Sequence, residues 1–597
     1  MARDPEQSLL RGISPSRLME YTRGVSRWVR LSGGEDEAKA FDYLESLLQG
    51  FGLDVRRHHH DALVSWPGPA SLEILTGSPR HVECITHAFA APTPPGGLEA
   101  EVVDAGPGEF GRAEVRGKMA LVDGLATPAR ARAAEDAGAV GAIFINPPHL
   151  HEMIVSTVWG APTPETAGAL PTIVAVSIRE QDGAALRGGG RENGLRVRVQ
   201  AEVDTRWRLT PLLTADLPGR EEPDRFVLFS GHVDSWHYGA MDNGSANAVM
   251  VEMARIMSRR QKRLRRGIRF AFWSGHSHGR YSGSTWYADT HWEDLYSHAV
   301  LHLNVDSPGA VGATVLSEAQ TMAETWALAA RSVKDVCGQD LQRRRISRMG
   351  DQSFWGIGLP SLFVDISAQP PDESAAASAL ASLTGGAART GGLGWWWHTP
   401  EDTLDKIDRS NLRRDAQVYA LVLWRWCTAP VLPLDYAATA SEIRDTLRTL
   451  QEAAGDDFDL SRPLQPVDRL AEAASRFNAA SERVGASLGS GRGTRKQREA
   501  AQILNDALLR VGRALTPMAY TLSGPFDHDR AVPVPPVPVL QPVVHLRTMT
   551  AGSAEHRTLS TRLLRDRNRV VHALNTATEA FEDALRHVDG KRPAERT

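Results

Sequence analysis

The sequence predicts an α/β fold, with a largely parallel central sheet flanked by helices, an inserted domain and a helical C-terminal region. Three observations carry this. FVLFSGHVD (226–234), GIRFAFWSG (267–275), AVLHLNVDS (299–307) and SLFVDIS (361–367) are apolar runs rich in Val, Ile, Leu and Phe, with helical segments such as Ala246 to Arg260 between several of them. Such strands with helical crossovers build a parallel sheet covered on both faces. The texture from about 98 to 203 is different, and after about 431 the strands give way to helical periodicity.

Taken in chain order, residues 14 to 56 read as helix, loop and helix. Ser14 and Pro15 start the first helix, and Leu18, Tyr21, Val25 and Val29 recur at helical spacing. The second runs from Glu35 to Gln49 and stops at Gly50, and FGLDVRRH is read as a short strand. Between 98 and 203, GKMALVDG and LPTIVAVS are buried strands and ARARAAEDAGAVGAIFINPP is helix, turn and strand. No catalytic cluster is seen there, and His149 and His151, beside Pro147 and Pro148, are expected to be solvated. The Ala-, Gly- and Ser-rich stretch from about 369 to 394 is expected to be a loop. Helices are expected at 437–452, 464–487, 496–515 and 557–588, with SLGSGRGTRKQ as a flexible interruption and AVPVPPVPVLQP extended by its prolines. At 597 residues the chain exceeds what one core serves. The expected divisions are 1–97 and 204–430 for the main domain, 98–203 for the insert and 431–597 for the helical domain.

Chemistry concentrates in SGHVDSWHYGAMDNGSANAVMVEMARIM. A strand ends at His232, and Asp242-Asn243 opens a helix. Ligands of parallel sheets bind beyond the carboxyl ends of the strands, and imidazole with carboxylate suits an ion such as Zn²⁺. Asp234 is placed to orient His232. Asp306 ends the next strand, and His398 precedes a helix started by Thr399, Pro400 and Glu401. His232, Asp242, Asp306 and His398 are the expected metal set.

HVDSW with the later MDN, then IRFAFW, GSTWYA, NVDSPG, GLPSLF and HTPEDTLDKID resemble, in this order, the co-catalytic zinc aminopeptidase and carboxypeptidase family, in its glutamate carboxypeptidase II and transferrin receptor branch. Residues 98–203 resemble the protease-associated domain of that branch, and PLDYAATASEIRDTL with the helices after it resembles its dimerisation domain. The resemblance implies an aminopeptidase-like amide hydrolase with one or two zinc ions per chain. It makes Asp242 the bridging ligand, His232 and Asp306 its companions at one ion and His398 at the other, and Asp242-Asn243 a cis peptide. Asp234 joins the expected catalytic residues.

The chain departs from the family where a Glu-Glu pair is usual. That pair, a base followed by a ligand, falls on His276 and Ser277 in FWSGHSHGRYSGSTWYA, and one extra residue between Gly279 and Gly283 leaves room for His278 instead. A histidine near pH 7 serves as a base or as a ligand. Three readings stand: an active enzyme using His276 or His278, a one-ion enzyme, and a non-catalytic, transferrin receptor-like dimeric binding protein. Trp397, His237 and Asp351 are expected at the substrate; Trp395, Trp396 and Trp397 cannot all point inward, and Arg344, Arg345 and Arg348 are read as a solvated basic stretch.

The formal net charge of -4 gives no field that favours nucleic acid or anionic membrane. Without an apolar run of about 18 residues no membrane span is expected. Cys84, Cys337 and Cys427 lie far apart, so no disulfide framework is indicated. A cytoplasmic homodimer acting on a peptide or a small amide is the resulting expectation.

Overall fold

A computed structural model describes residues 4–77, 79–108, 110, 115–189, 194–374, 379, 390–489 and 493–589. Among these residues are twelve strands: β1 (Asp54–Ile74), β2 (Arg80–Val82), β3 (Cys84–Thr86), β4 (Leu98–Asp104), β5 (Met119–Asp123), β6 (Gly141–Asn146), β7 (Val174–Arg179), β8 (Arg196–Leu217), β9 (Glu222–His232), β10 (Arg266–Trp273), β11 (Ala299–Asn304) and β12 (Ser361–Leu362). Their order is β12-β11-β9-β10-β8-β4-β5-β6-β7-β3, with β1 pairing β8 and β2.

The sheet is mixed. β9 pairs in parallel with β10 and β11, and β11 with β12, whereas β8 joins β10 antiparallel. β9 and β10 are apolar on both faces. Val227, Phe229, Ile268 and Phe270 enter one core; Phe226, Leu228, Ala271 and Trp273 enter the other. The period-2 alternation of side chains divides each run between two helical layers.

β1 is 21 residues long, not the short strand expected from FGLDVRRH. It pairs antiparallel with β8 from Asp54↔Asp216 to Ile74↔Val197, with a register shift between Pro67 and Ala70. At about 3.3 Å per residue this ladder is roughly 70 Å long. One end of β8 meets β10 and the other meets β4, so the ladder carries the insert on the main sheet.

The helices Pro15–Val25 and Glu35–Gly50 fall where the periodicity places them, the first with Ser14 accepting from the Arg17 amide. The C-terminal helices are Tyr436–Ala454, Leu464–Gly489, Arg495–Tyr520 and Ala554–Val588. Leu447, Phe477, Leu508 and Phe581 belong to the same buried cluster as the main-domain core. The proline-rich run is not extended throughout: Pro538–Thr548 forms a 3-10 helix, which Pro at its first turn permits. SLFVDIS is strand only over Ser361–Leu362. Most of the 369–394 stretch and the centre of SLGSGRGTRKQ lie outside the described residues. Among those described, no helix is long and apolar enough to cross a membrane.

Candidate metal centre

β9 ends at His232, and its neighbour β11 ends two residues before Asp306, so both side chains emerge at the carboxyl edge of the sheet. Asp242 sits on the turn Ala240–Ser245 that leads into the helix Ala246–Ser258. His232 Nδ1 donates to the Asp234 carbonyl at 2.9 Å, which leaves Nε2 free. Nε2 lies 3.1 Å from Asp242 Oδ1 and 3.6 Å from Asp306 Oδ2. His232 Nε2 and Asp242 Oδ1 are buried without a hydrogen-bond partner. Such groups are costly unless satisfied. Tetrahedral zinc, with bonds of about 2.0–2.2 Å, holds its ligand atoms roughly 3.3 Å apart, so the donor set fits that ion.

The charges agree. Burial opposes protonation of His232, but Asp306, Asp234 and Asp242 outweigh it and push its pKa well above the ordinary imidazole value. Burial likewise opposes ionisation of Asp242, yet His232 and His398 hold it well below the carboxylate range. The centre is built for positive charge.

Asp402 fixes Asp242 through the backbone: Met241 N–H donates to Asp402 Oδ1 (2.8 Å) and Asp242 N–H to Oδ2 (3.0 Å). The Asp242-Asn243 peptide is cis. His398 Nε2 lies 3.0 Å from Asp242 Oδ2, and its Nδ1 donates to the Glu152 carbonyl at 2.6 Å. The Trp236 indole N–H donates to the same Nε2 at 3.1 Å.

His276 comes to the centre. Its ring lies on that of His232, with centroids 3.7 Å and planes 12° apart, and ligating atoms of His232, His276 and Asp306 fall within 4.8 Å of one another. His276 Nδ1 donates to Asp351 Oδ2 at 2.7 Å, and Ser284 donates to Asp351 Oδ1 at 2.8 Å. Rings stacked 3.7 Å apart keep their lone pairs in two separate, nearly parallel planes, so one ion lies in the plane of at most one of them. The geometry favours one ring as ligand and the other as proton acceptor.

His278 is not brought to this cluster, contrary to the ligand role expected of it. It is buried with Nδ1 3.1 Å from Ser32 Oγ and its ring 4.3 Å from Trp236, and burial lowers its pKa to about 4. The extra residue explains why. Arg280 and Tyr281 both take left-handed backbone (φ 49° and 67°), absorbing the insertion after Gly279 without moving His276. Tyr281 then packs edge-on to His276 and against Trp159 of the insert.

Asp234 lies behind His232, whose Nδ1 bonds its carbonyl. It is fully buried and accepts from Ser32 Oγ (2.6 Å), Ser277 N (2.7 Å) and His276 N (3.3 Å). Asp351 is likewise buried beneath His276 instead of lining the substrate cavity. His237 lines a small cleft with Trp236 and Thr399, on the other side of His398. Arg348 is buried, not solvated, with its guanidinium 3.8 Å from the Trp159 ring centre. His151 is also buried and donates through Nδ1 to the Trp397 carbonyl at 2.6 Å, while His149 stacks on Trp395.

A cavity of about 390 Å³ opens on Asp242, His276, Asp306 and His398. Met153 and Ile154 of the insert and Trp397 contribute apolar wall. Trp397 also stacks on His398 at 3.4 Å, while Trp396 is buried and Trp395 is partly exposed. The sequence reading missed three contributors. Glu152 holds His398; Trp236 donates to it; Asp365 shares the cavity wall, its carboxyl pushed up to about 6 by burial and then by Asp306. A carboxylate closing the strand-like run SLFVD, as Asp306 closes its own, was the available signal for Asp365; nothing local marks Glu152.

Residues 213–423 match the family described as Peptidase family M28, and residues 90–186 match the PA domain. A Zea mays protein described as Probable glutamate carboxypeptidase VP8 is 26% identical over 507 residues, 72% of this chain and 69% of that protein. An Arabidopsis thaliana protein, Probable glutamate carboxypeptidase LAMP1, is 28% identical over 311 residues, 50% of this chain and 43% of its own length. The chain thus spans less than half of the Arabidopsis relative. In three dimensions, an aminopeptidase from Aneurinibacillus sp. strain AM-1 superposes with a TM-score of 0.53 at 21% identity, covering 70% of this chain and 95% of its own. The match to peptidase family M28 thus covers the segment that carries His232, Asp242, Asp306 and His398, and the match to the PA domain precedes it in the chain.

Proposed function

We propose that this protein is a zinc-dependent peptidase of aminopeptidase-like action on peptides or peptide-like amides, with one or two ions per chain. The observation that carries the reading is the pair His232 Nε2 and Asp242 Oδ1, buried, 3.1 Å apart and unsatisfied, beside Asp306. His232, Asp242 and Asp306 would hold an ion. Zinc bound there would polarise the substrate carbonyl and make the attacking water more acidic.

The chain's own residues supply the rest. His276, with Nδ1 bonded to Asp351, is left with Nε2 facing the centre and takes the proton of the attacking water. A positioned base of this kind contributes about 10² to 10⁴ in rate. Asp234 and Asp402 fix His232 and Asp242 in place. Trp397, Met153 and Ile154 exclude water and receive an apolar part of the substrate. A cavity of this volume suits a short substrate. A non-catalytic binding role is not favoured, because it leaves the unsatisfied pair without a purpose.

A homodimer through the helical region accords with the exposure of Leu522, Phe526, Val544 and Leu564 there. Hydrolysis of dipeptides with free and with blocked amino termini by the zinc-loaded protein tests the function. Cleavage of the free ones alone supports aminopeptidase action. Cleavage of both makes it a broader amidase, and cleavage of neither overturns the proposal.

A further inference from the structure

We propose that this chain holds a single metal ion on His232, Asp242 and Asp306, and that the His398 side of Asp242 stays metal-free. The inference rests on the peptidase reading and concerns how its metal centre is built.

The two sides of Asp242 are unequal. Oδ1 faces His232 Nε2 at 3.1 Å, and Asp306 Oδ2 lies 3.6 Å from the same nitrogen, giving three ionisable or imidazole ligands. Three protein ligands with an open position is the usual composition of a catalytic zinc site. Each of these ligands is fixed from outside: His232 by the Asp234 carbonyl, Asp242 by Asp402 through the backbone, and Asp306 Oδ1 by the Ser307 hydroxyl at 3.0 Å.

Oδ2 has His398 Nε2 at 3.0 Å and makes no further ion pair among the described residues. His398 is engaged at both ring nitrogens, Nδ1 with the Glu152 carbonyl and Nε2 with the Trp236 indole N–H. An indole N–H only donates, so the lone pair it meets is not free for an ion. Ser277 offers a neutral hydroxyl and directs its amide to Asp234. His278, the other nearby imidazole, is packed against Trp236 with Nδ1 at Ser32. Two ligands, one of them already bonded, make a poor second site.

In this arrangement His398 is a positioning residue. It stands 3.0 Å from the outer oxygen of Asp242, whose Oδ1 is directed at His232. The stacked His276 remains outside coordination, beside the single ion.

The full-length protein, loaded with excess zinc and freed of loosely held metal, is analysed for zinc by mass spectrometry. One ion per chain is expected, with one zinc-edge anomalous peak among His232, Asp242 and Asp306. His398→Gln keeps that ion, and His232→Ala loses it. Two ions per chain, a peak beside His398, or loss of all zinc in His398→Gln overturns the proposal. The wild-type count and peak stand alone should a variant fail to fold. Peptide hydrolysis separates the two readings. A two-ion protein that cleaves peptides sinks only this inference, and a one-ion protein that cleaves nothing sinks only the proposed function.

Discussion

The imidazole of His276 lies flat on that of His232, with ring centres 3.7 Å apart and planes 12° apart. A residue stacked this close to an expected ligand, with its ring in a separate plane, is suited to move a proton.

His276→Ala is expected to lower kcat by about 10² or more while zinc content stays at the wild-type value. Steady-state kinetics paired with metal analysis check this. Loss of the metal along with activity would make His276 a ligand.

Asp351 acts on the reaction only through His276, which it holds at 2.7 Å. Asp351→Asn should reduce kcat roughly 10- to 100-fold, the range typical of outer partners of catalytic groups, with KM little changed. A change in KM alone would place Asp351 at the substrate after all.

Trp397 presents a large apolar face to the cavity and stacks on His398. Trp397→Ala is expected to raise KM for substrates with apolar or aromatic side chains by about tenfold, equivalent to about 1.4 kcal/mol. Small, polar substrates should respond less. An equal rise for both classes would contradict a side-chain subsite there.

Much of this site was legible because each strand of the parallel core ends on a chemically distinctive residue: His232 after FVLFSG and Asp306 after LHLNV. The long β1–β8 ladder was not legible. RRHHHDALVSWPGP is polar and interrupted by proline, and its pairing is decided by a partner strand some 140 residues away. His278 was a natural candidate on spacing alone, and only the left-handed backbone at Arg280 and Tyr281 shows why it stays behind. The insert carried no catalytic pattern, yet Glu152 holds His398 through main-chain groups. Main-chain contacts between distant segments leave no mark on residue type.

Glu324 gives a test of the folded architecture remote from the metal. It lies under the helix Tyr436–Ala454, where Thr439 donates to it at 2.8 Å, and burial raises its carboxyl to about 7. The folded state therefore binds a proton that the unfolded state releases near its usual, lower pKa. Its contribution to stability is fully present below about pH 4.5 and is lost as pH rises toward 7. Glu324→Gln should be more stable than wild type above pH 7, by an amount on the order of 2–3 kcal/mol. That advantage should vanish towards pH 4.5. Melting curves across this range decide it, and a difference independent of pH would contradict the assigned titration.

The most direct measurement is peptide hydrolysis by the wild-type protein before chelation, after chelation, and after zinc is returned. Activity should disappear with the metal and come back with it. Hydrolysis undiminished by chelation, or none by the zinc-loaded protein on any peptide tried, would contradict the claim that His232, Asp242 and Asp306 form a working metal centre.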